Sequence, residues 1–124
     1  MSESDIGSRL AQGMSEHRQE VLRAWERAII RELKPLPLGA SEIPCLLDGY
    51  LKEVCIRLGN RDYPEEARTD PLTPFDRISL FLVGEEAIAE KLEHICGNPS
   101  TMQLLALRRE LNEIFSEMIR RHSV

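Results

Sequence analysis

Apolar residues recur at spacings of three and four along most of this chain and nowhere alternate with polar ones at a spacing of two. The pattern therefore predicts helices and no sheet. The longest uninterrupted stretch is residues 73–96, TPFDRISLFLVGEEAIAEKLEHIC. Thr73 supplies an N-cap, Pro74 occupies the first helical position, where its missing N–H costs nothing, and Asp76 sets a carboxylate near the positive helix end. Gly97, Asn98 and Pro99 stop the helix. At 1.5 Å per residue it is about 35 Å long. It is therefore expected to be the central helix, with the others wrapped around it. Ile78, Phe81, Leu82, Ile88, Ala89, Leu92 and Cys96 gather on one face, and Glu85 points near the middle of that stripe. A carboxylate there must be partnered, protonated or opened to water by a cavity, because an isolated buried charge is too unfavourable.

The N-terminal third reads as helix from Ser4. Ile6, Leu10, Met14, His17, Val21, Ala24 and Ala28 share a face, with Trp25 and Ile29 on its flank. Gly13 and Ser15 divide this stretch into a short first helix and a longer one over about 15–33. Two prolines and a glycine in KPLPLG, residues 34–39, end it. Ser41 is the next N-cap. Ile43, Leu46, Leu47, Tyr50, Leu51, Val54 and Leu58 form a stripe closed by Gly59 and Asn60. Residues 60–72 read as a long surface loop with one short turn at 64–67. Asn98 and Pro99 cap a last helix carrying Leu104, Leu107, Leu111, Ile114, Phe115 and Met118, which fades after Arg120. The expectation is one all-α domain over 1–124, a bundle of four to five helices. A regular up-down bundle and an oblique, globin-like packing both fit.

A formal charge of -5 over 124 residues argues against a nucleic-acid or anionic-membrane surface, which would need a basic stripe. No apolar run approaches the roughly 20 residues of a membrane span, and the first 13 residues lack the apolar core of a secretion signal. A cytoplasmic protein is expected. Cys45, Cys55 and Cys96 are widely spaced, without a CxxC, and read as buried or half-buried reduced thiols.

Sites of chemistry are scarce. The chain has no phosphate-cradling glycine loop, no HExxH and no nucleophile elbow. Catalytic, cofactor and metal residues are therefore not expected, nor is an enzyme. Glu85 has a prospective partner in Arg108, a second charge on an apolar face. In an antiparallel hairpin closed at Gly97 to Pro99 the two lie about 16 and 14 Å from the turn. This predicts a partly buried Glu85–Arg108 pair fixing helix register or flooring a pocket, with Arg57 or Arg31 as the other partner. His94 and His122 read as solvated. His17 lies on an apolar stripe as a boundary histidine, or as the one candidate axial ligand for a haem.

The run His17-Arg18-Gln19-Glu20-Val21-Leu22-Arg23-Ala24-Trp25-Glu26-Arg27-Ala28-Ile29 opens a small acidic helical domain. It resembles the start of the N-terminal sensory domains of RsbR and RsbRD type, stressosome proteins that act as co-antagonists in sigma-factor regulation. The likeness runs through the proline break, the second amphipathic helix, the long helix and the closing helix, over roughly residues 10–120. It implies a globin-like fold without haem, a homodimer, and a non-enzymatic input module for stress signalling that acts on a signalling protein. The STAS domain that commonly follows in that family is not in this sequence, so its phosphorylation role does not carry over. Trp25, Ile29 and Ile119 are the candidate interface residues. The alternative is a small-molecule or haem-binding sensor with a pocket near Glu85 and His17.

Overall fold

The computed structural model describes residues 3–33, 35–39, 41–59, 72–95 and 100–122. It is all-α: α1 spans Glu3–Glu16, α2 Arg18–Glu32, α3 Glu42–Gly59, α4 Pro74–Ile95 and α5 Thr101–His122. No strand occurs among the described residues. The expected loop over 60–72 lies outside them up to residue 71, as do Cys96 and the turn at Gly97 to Pro99.

The helix ends follow local chemistry. At α4 the Thr73 hydroxyl accepts from the Asp76 amide at 3.1 Å, and the Thr73 amide donates back to the Asp76 carboxylate at 3.4 Å. Thr73 is the N-cap expected, and Asp76, expected only as a carboxylate near the positive helix end, closes a reciprocal box with it. At α5 the cap is Ser100, not Asn98 or Pro99. Its hydroxyl accepts from the Gln103 amide at 3.2 Å, and its amide donates to the Gln103 side chain at 2.9 Å. The first two amides of α3 donate to the Gly39 carbonyl. Between α1 and α2 the division falls at His17, whose backbone leaves helical geometry for one residue (φ -114°, ψ 30°). The i to i−4 bonding carries on across it, from the His17 amide to Gly13 and from the Val21 amide to His17. The two helices thus meet at a bend without a loop.

Four helices form a ring: α2 packs along α4, α4 along α5, α5 meets α3, and α3 returns to α2. Across this ring α2 faces α5 and α3 faces α4, and aromatic side chains bridge both diagonals. Trp25 and Phe115 meet edge-to-face at 6.0 Å, Tyr50 and Phe81 at 4.8 Å, and Phe81 touches Phe115 at 6.3 Å. Such edge-to-face contacts align ring edges with the negative ring faces, and they suit a crowded centre. The middle of the molecule is accordingly filled by side chains, with no helix running through it. The helix that approaches all four others is α1. The stretch expected as the central rod, α4, is a member of the ring.

The buried face of α4 is Leu80, Phe81, Gly84, Ile88, Ala89 and Leu92. It is turned by about 60° from the stripe read off the sequence. Leu80 and Gly84 point inward, Leu82 is exposed, and Glu85 moves to the edge. The reason is Trp25. Its indole lies where a Gly84 side chain would project, so a Cβ at that position would come within 2.4–2.6 Å of the ring. The indole N–H donates to the Leu80 carbonyl at 3.1 Å. Trp25 is fully buried and Ile29 nearly so. Neither offers spare surface, which corrects the expectation that they form an interface. Ile119 is half-buried against the core.

Candidate functional site

Three polar clusters lie on the frame of helices. The first is the seam of α4 and α5. Arg108 donates from Nε to Glu93 at 2.7 Å and from Nη1 to Glu86 at 2.9 Å. Glu85 instead accepts from the Asn112 amide, at 3.3 and 3.5 Å to its two oxygens. The expected Glu85–Arg108 pair is therefore not formed as a direct bond. Depth along the hairpin was right, but rotation decided the partners. Glu86 and Glu93 are seven residues apart on one line of α4 and bracket Arg108, whereas Glu85 sits one residue round and meets Asn112. Glu85 is half-buried, and this desolvation pushes its carboxyl above the ordinary value. The Asn112 bond opposes the shift, neighbouring Glu86 adds to it, and the more distant Arg108 charge reduces it. Glu93 and Glu86 hold the Arg108 guanidinium further above its ordinary value.

The second cluster is buried where α3 meets α5. Arg57, with only 1% of its surface exposed, donates to Glu53 at 3.1 Å and to Glu117 at 3.3 Å; Arg121 also binds Glu117 at 3.2 Å. A buried arginine held by two carboxylates fixes how its helices sit, and its stability depends on keeping every partner. Sequence reasoning considered Arg57 only as a partner for Glu85. The available signal was the Glu53 to Arg57 spacing of four, acid first, which pairs well on a helix. Arg31, the other proposed partner, lies on the surface beside Glu32. Glu110 is likewise buried on α5, and nothing in the stripe of that helix singled it out.

The third cluster surrounds the bend between α1 and α2. Arg18 binds Asp48 of α3 through both Nε and Nη2. Cys55 lies nearby, half-buried. Burial pushes its thiol up, against the lowering influence of Arg18 and a bond with Ser15. Cys45 is exposed, contrary to the expectation of a covered thiol. His17 is a boundary residue, its Nδ1 3.5 Å from Glu20, and Lys91 of α4 reaches the same Glu20 at 3.7 Å. His17 thus faces the α2 side of α4 and Glu85 the α5 side. The two do not floor a common pocket. His94 is exposed, and the side chain of His122 lies outside the description.

Among the described residues no group of three His, Cys, Asp or Glu side chains is placed to hold a metal ion. No described helix is long and apolar enough to cross a membrane. What the surface does offer is apolar. Of the six large hydrophobic side chains exposed among the described residues, four belong to the α4–α5 hairpin: Phe75 (75% exposed), Leu82 (57%), Met102 (74%) and Leu105 (59%). They flank the Glu85–Asn112 and Arg108 bonds, so the outer side of this hairpin is the candidate functional face. Compared with protein-family models, with curated proteins and with solved structures, the chain finds no match in any of the three.

Proposed function

We propose that this chain is a non-enzymatic signalling input module that acts through protein contacts, as its resemblance to the N-terminal sensory domains of RsbR and RsbRD type implies. In that role it is a cytoplasmic homodimer that presents one face to a signalling protein. The observation carrying the reading is that exposed Phe75, Leu82, Met102 and Leu105 all belong to one hairpin, as a pair in the first half of α4 and a pair in the first turns of α5. Single apolar residues are ordinary on a protein surface, and the concentration of four on one helix pair supports a contact there. Their cores are not needed for packing, since the ring closes on Trp25, Tyr50, Phe81 and Phe115 without them.

Affinity capture with the intact chain, beside a Leu82→Ser, Leu105→Ser variant, tests the reading. The expected outcome is recovery of a signalling protein by the wild type and its loss with the variant, at unchanged helicity and melting temperature. Equal recovery by both would exclude this face as the contact site. With His17 and Glu85 on opposite sides of α4, no observation favours the small-molecule or haem-sensor alternative.

A further inference from the structure

On an acidic chain, the outward face of α2 is basic. Arg23, Arg27 and Arg31 follow one another at steps of four, about 6 Å apart along one line of the helix. That line lies opposite Val21, Trp25, Ala28 and Ile29, the residues α2 buries, and all three arginines are exposed. Ile30 stands beside them, 70% exposed. Among the described residues Arg31 meets only its chain neighbour Glu32, at 3.3 Å, and Arg23 and Arg27 have no carboxylate within salt-bridge reach. The nearby acids are engaged elsewhere or turned aside: Glu20 meets His17 and Lys91, Glu16 accepts from Gln12, and Glu26 is half-buried. Like charges at a spacing of four repel one another, so the row weakens the helix that carries it. The seams of the ring, by contrast, pair their charges: Arg18 with Asp48, Lys91 with Glu20, Arg57 with Glu117 and Arg108 with Glu86.

We infer that this row is a docking surface for an acidic amphipathic helix of another protein. It is a second contact site, on a different helix from the α4–α5 face, and it does not depend on that face. A helix laid along α2 with carboxylates at steps of four presents them at the same rise as the three guanidiniums, one opposite each. The planar fork of arginine takes both oxygens of a carboxylate, which fixes direction as well as attraction. An apolar side chain on the same side of the incoming helix covers Ile30.

Charge also selects among anions. With a formal charge of -5 the chain as a whole repels a nucleic acid or an anionic membrane, whose charge extends far beyond three arginines. A short acidic helix feels mainly the charges within about 8 Å at physiological salt, where α2 is basic. Ile30 matches an apolar side chain and has no use against a phosphate backbone. A second copy of the chain is a poor complement, because Glu86 and Glu93 of its acidic helix α4 are already bound to Arg108, which leaves Glu90 alone in that row. From Arg23 to Arg31 the row is about 12 Å long, so the contact is small, in the class of transient and electrostatically steered encounters. Its affinity should therefore fall steeply with salt.

Fluorescence anisotropy with the intact chain tests the docking, using a labelled helical peptide with glutamates at steps of four beside a leucine row, and a matched peptide with glutamines in their place. The acidic peptide is expected to bind at low salt and to weaken severalfold at physiological salt, and the glutamine peptide is expected not to bind. Arg23→Glu and Arg27→Glu should each lower the affinity at least tenfold, and Ile30→Ser severalfold. Lys52→Glu makes the same change of net charge on the exposed side of α3 and should leave the affinity unchanged. The substituted side chains are exposed, so helicity and melting temperature report whether the fold has survived; Arg23→Gln and Arg27→Gln replace the glutamates if it has not. Absence of binding, equal binding of the glutamine peptide, or an equal loss with Lys52→Glu would each overturn the proposal. Tighter binding of single-stranded DNA or of phosphatidylserine vesicles through the same arginines would overturn it too, as would self-association that Arg23→Glu abolishes. No variant here touches Leu82 or Leu105, so failure of this row leaves the hairpin face standing, and failure of the hairpin face leaves this row standing.

Discussion

At Gly84 the missing side chain is what allows α2 and α4 to approach. A Gly84→Ala substitution in a helix gains about 1 kcal/mol of intrinsic helix preference, yet its methyl would sit 2.4 Å from the Trp25 indole. The indole is rigid, fully buried and tied to the Leu80 carbonyl, so it has nowhere to retreat, and forced overpacking costs about 1–3 kcal/mol or more. The steric effect should win. Urea unfolding is expected to show a net loss of stability, and Trp25, the chain's single tryptophan, should shift its emission to the red. Glu85 makes a second residue-scale case. Its folded-state carboxyl is raised above the ordinary value, so folding favours the protonated form. That contribution is fully present below the unfolded value and is lost as pH rises through the folded one. Glu85→Gln, which keeps an acceptor for Asn112, should therefore raise the melting temperature at pH 7. The advantage should vanish as the pH falls into the ordinary carboxyl range; an advantage that persists there would show that the charge is not its source. Neither residue's role was legible from its own chemistry. Gly84 and Leu80 were not counted in the apolar stripe, and Glu85 looked central for that reason.

Between elements, the two arginine clusters should behave differently although both cross a helix pair. Arg57 is buried with Glu53 and Glu117, and Arg57→Ala takes the guanidinium from both carboxylates, of which Glu117 keeps Arg121. A loss of about 3–5 kcal/mol in denaturant unfolding is expected. Arg108 bonds Glu86 and Glu93 at the surface, with 38% of its side chain exposed, so Arg108→Ala should cost less than about 1 kcal/mol. Equal losses would mean that burial does not separate the seams. Helix ends form a third set: Thr73→Ala and Ser100→Ala each remove one side of a reciprocal box and should cost about 0.5–2 kcal/mol. The cap at Thr73 was legible because Thr-Pro-x-Asp is a local signal, although the bond back from the Thr73 amide to Asp76 was not read from it. The one at Ser100 was passed over for Asn98 and Pro99, although Gln103 three residues on is the same signature. The bend at His17 was placed two residues early, because Gly13 and Ser15 are the weaker helix formers, whereas the backbone leaves helical geometry at His17 itself.

For the molecule as a whole, the aromatic cluster draws on α2, α3, α4 and α5 together, since Trp25, Tyr50, Phe81 and Phe115 come one from each. Unfolding followed by Trp25 fluorescence and by helicity should therefore give coincident transitions, and separated midpoints would mean that part of the ring melts alone. Patterning alone determined that the chain is helical, where most of its helices lie and which residues are broadly apolar, because spacing along a helix is a local geometric property. It could not determine which way each helix is rotated, how the helices are ordered around the ring, or which charges meet. Those depend on side chains far apart in sequence competing for the same space. Trp25 entering the gap at Gly84 turned α4 by part of a turn, and that single packing choice buried Leu80, exposed Leu82, moved Glu85 to the edge and handed Arg108 to Glu86 and Glu93.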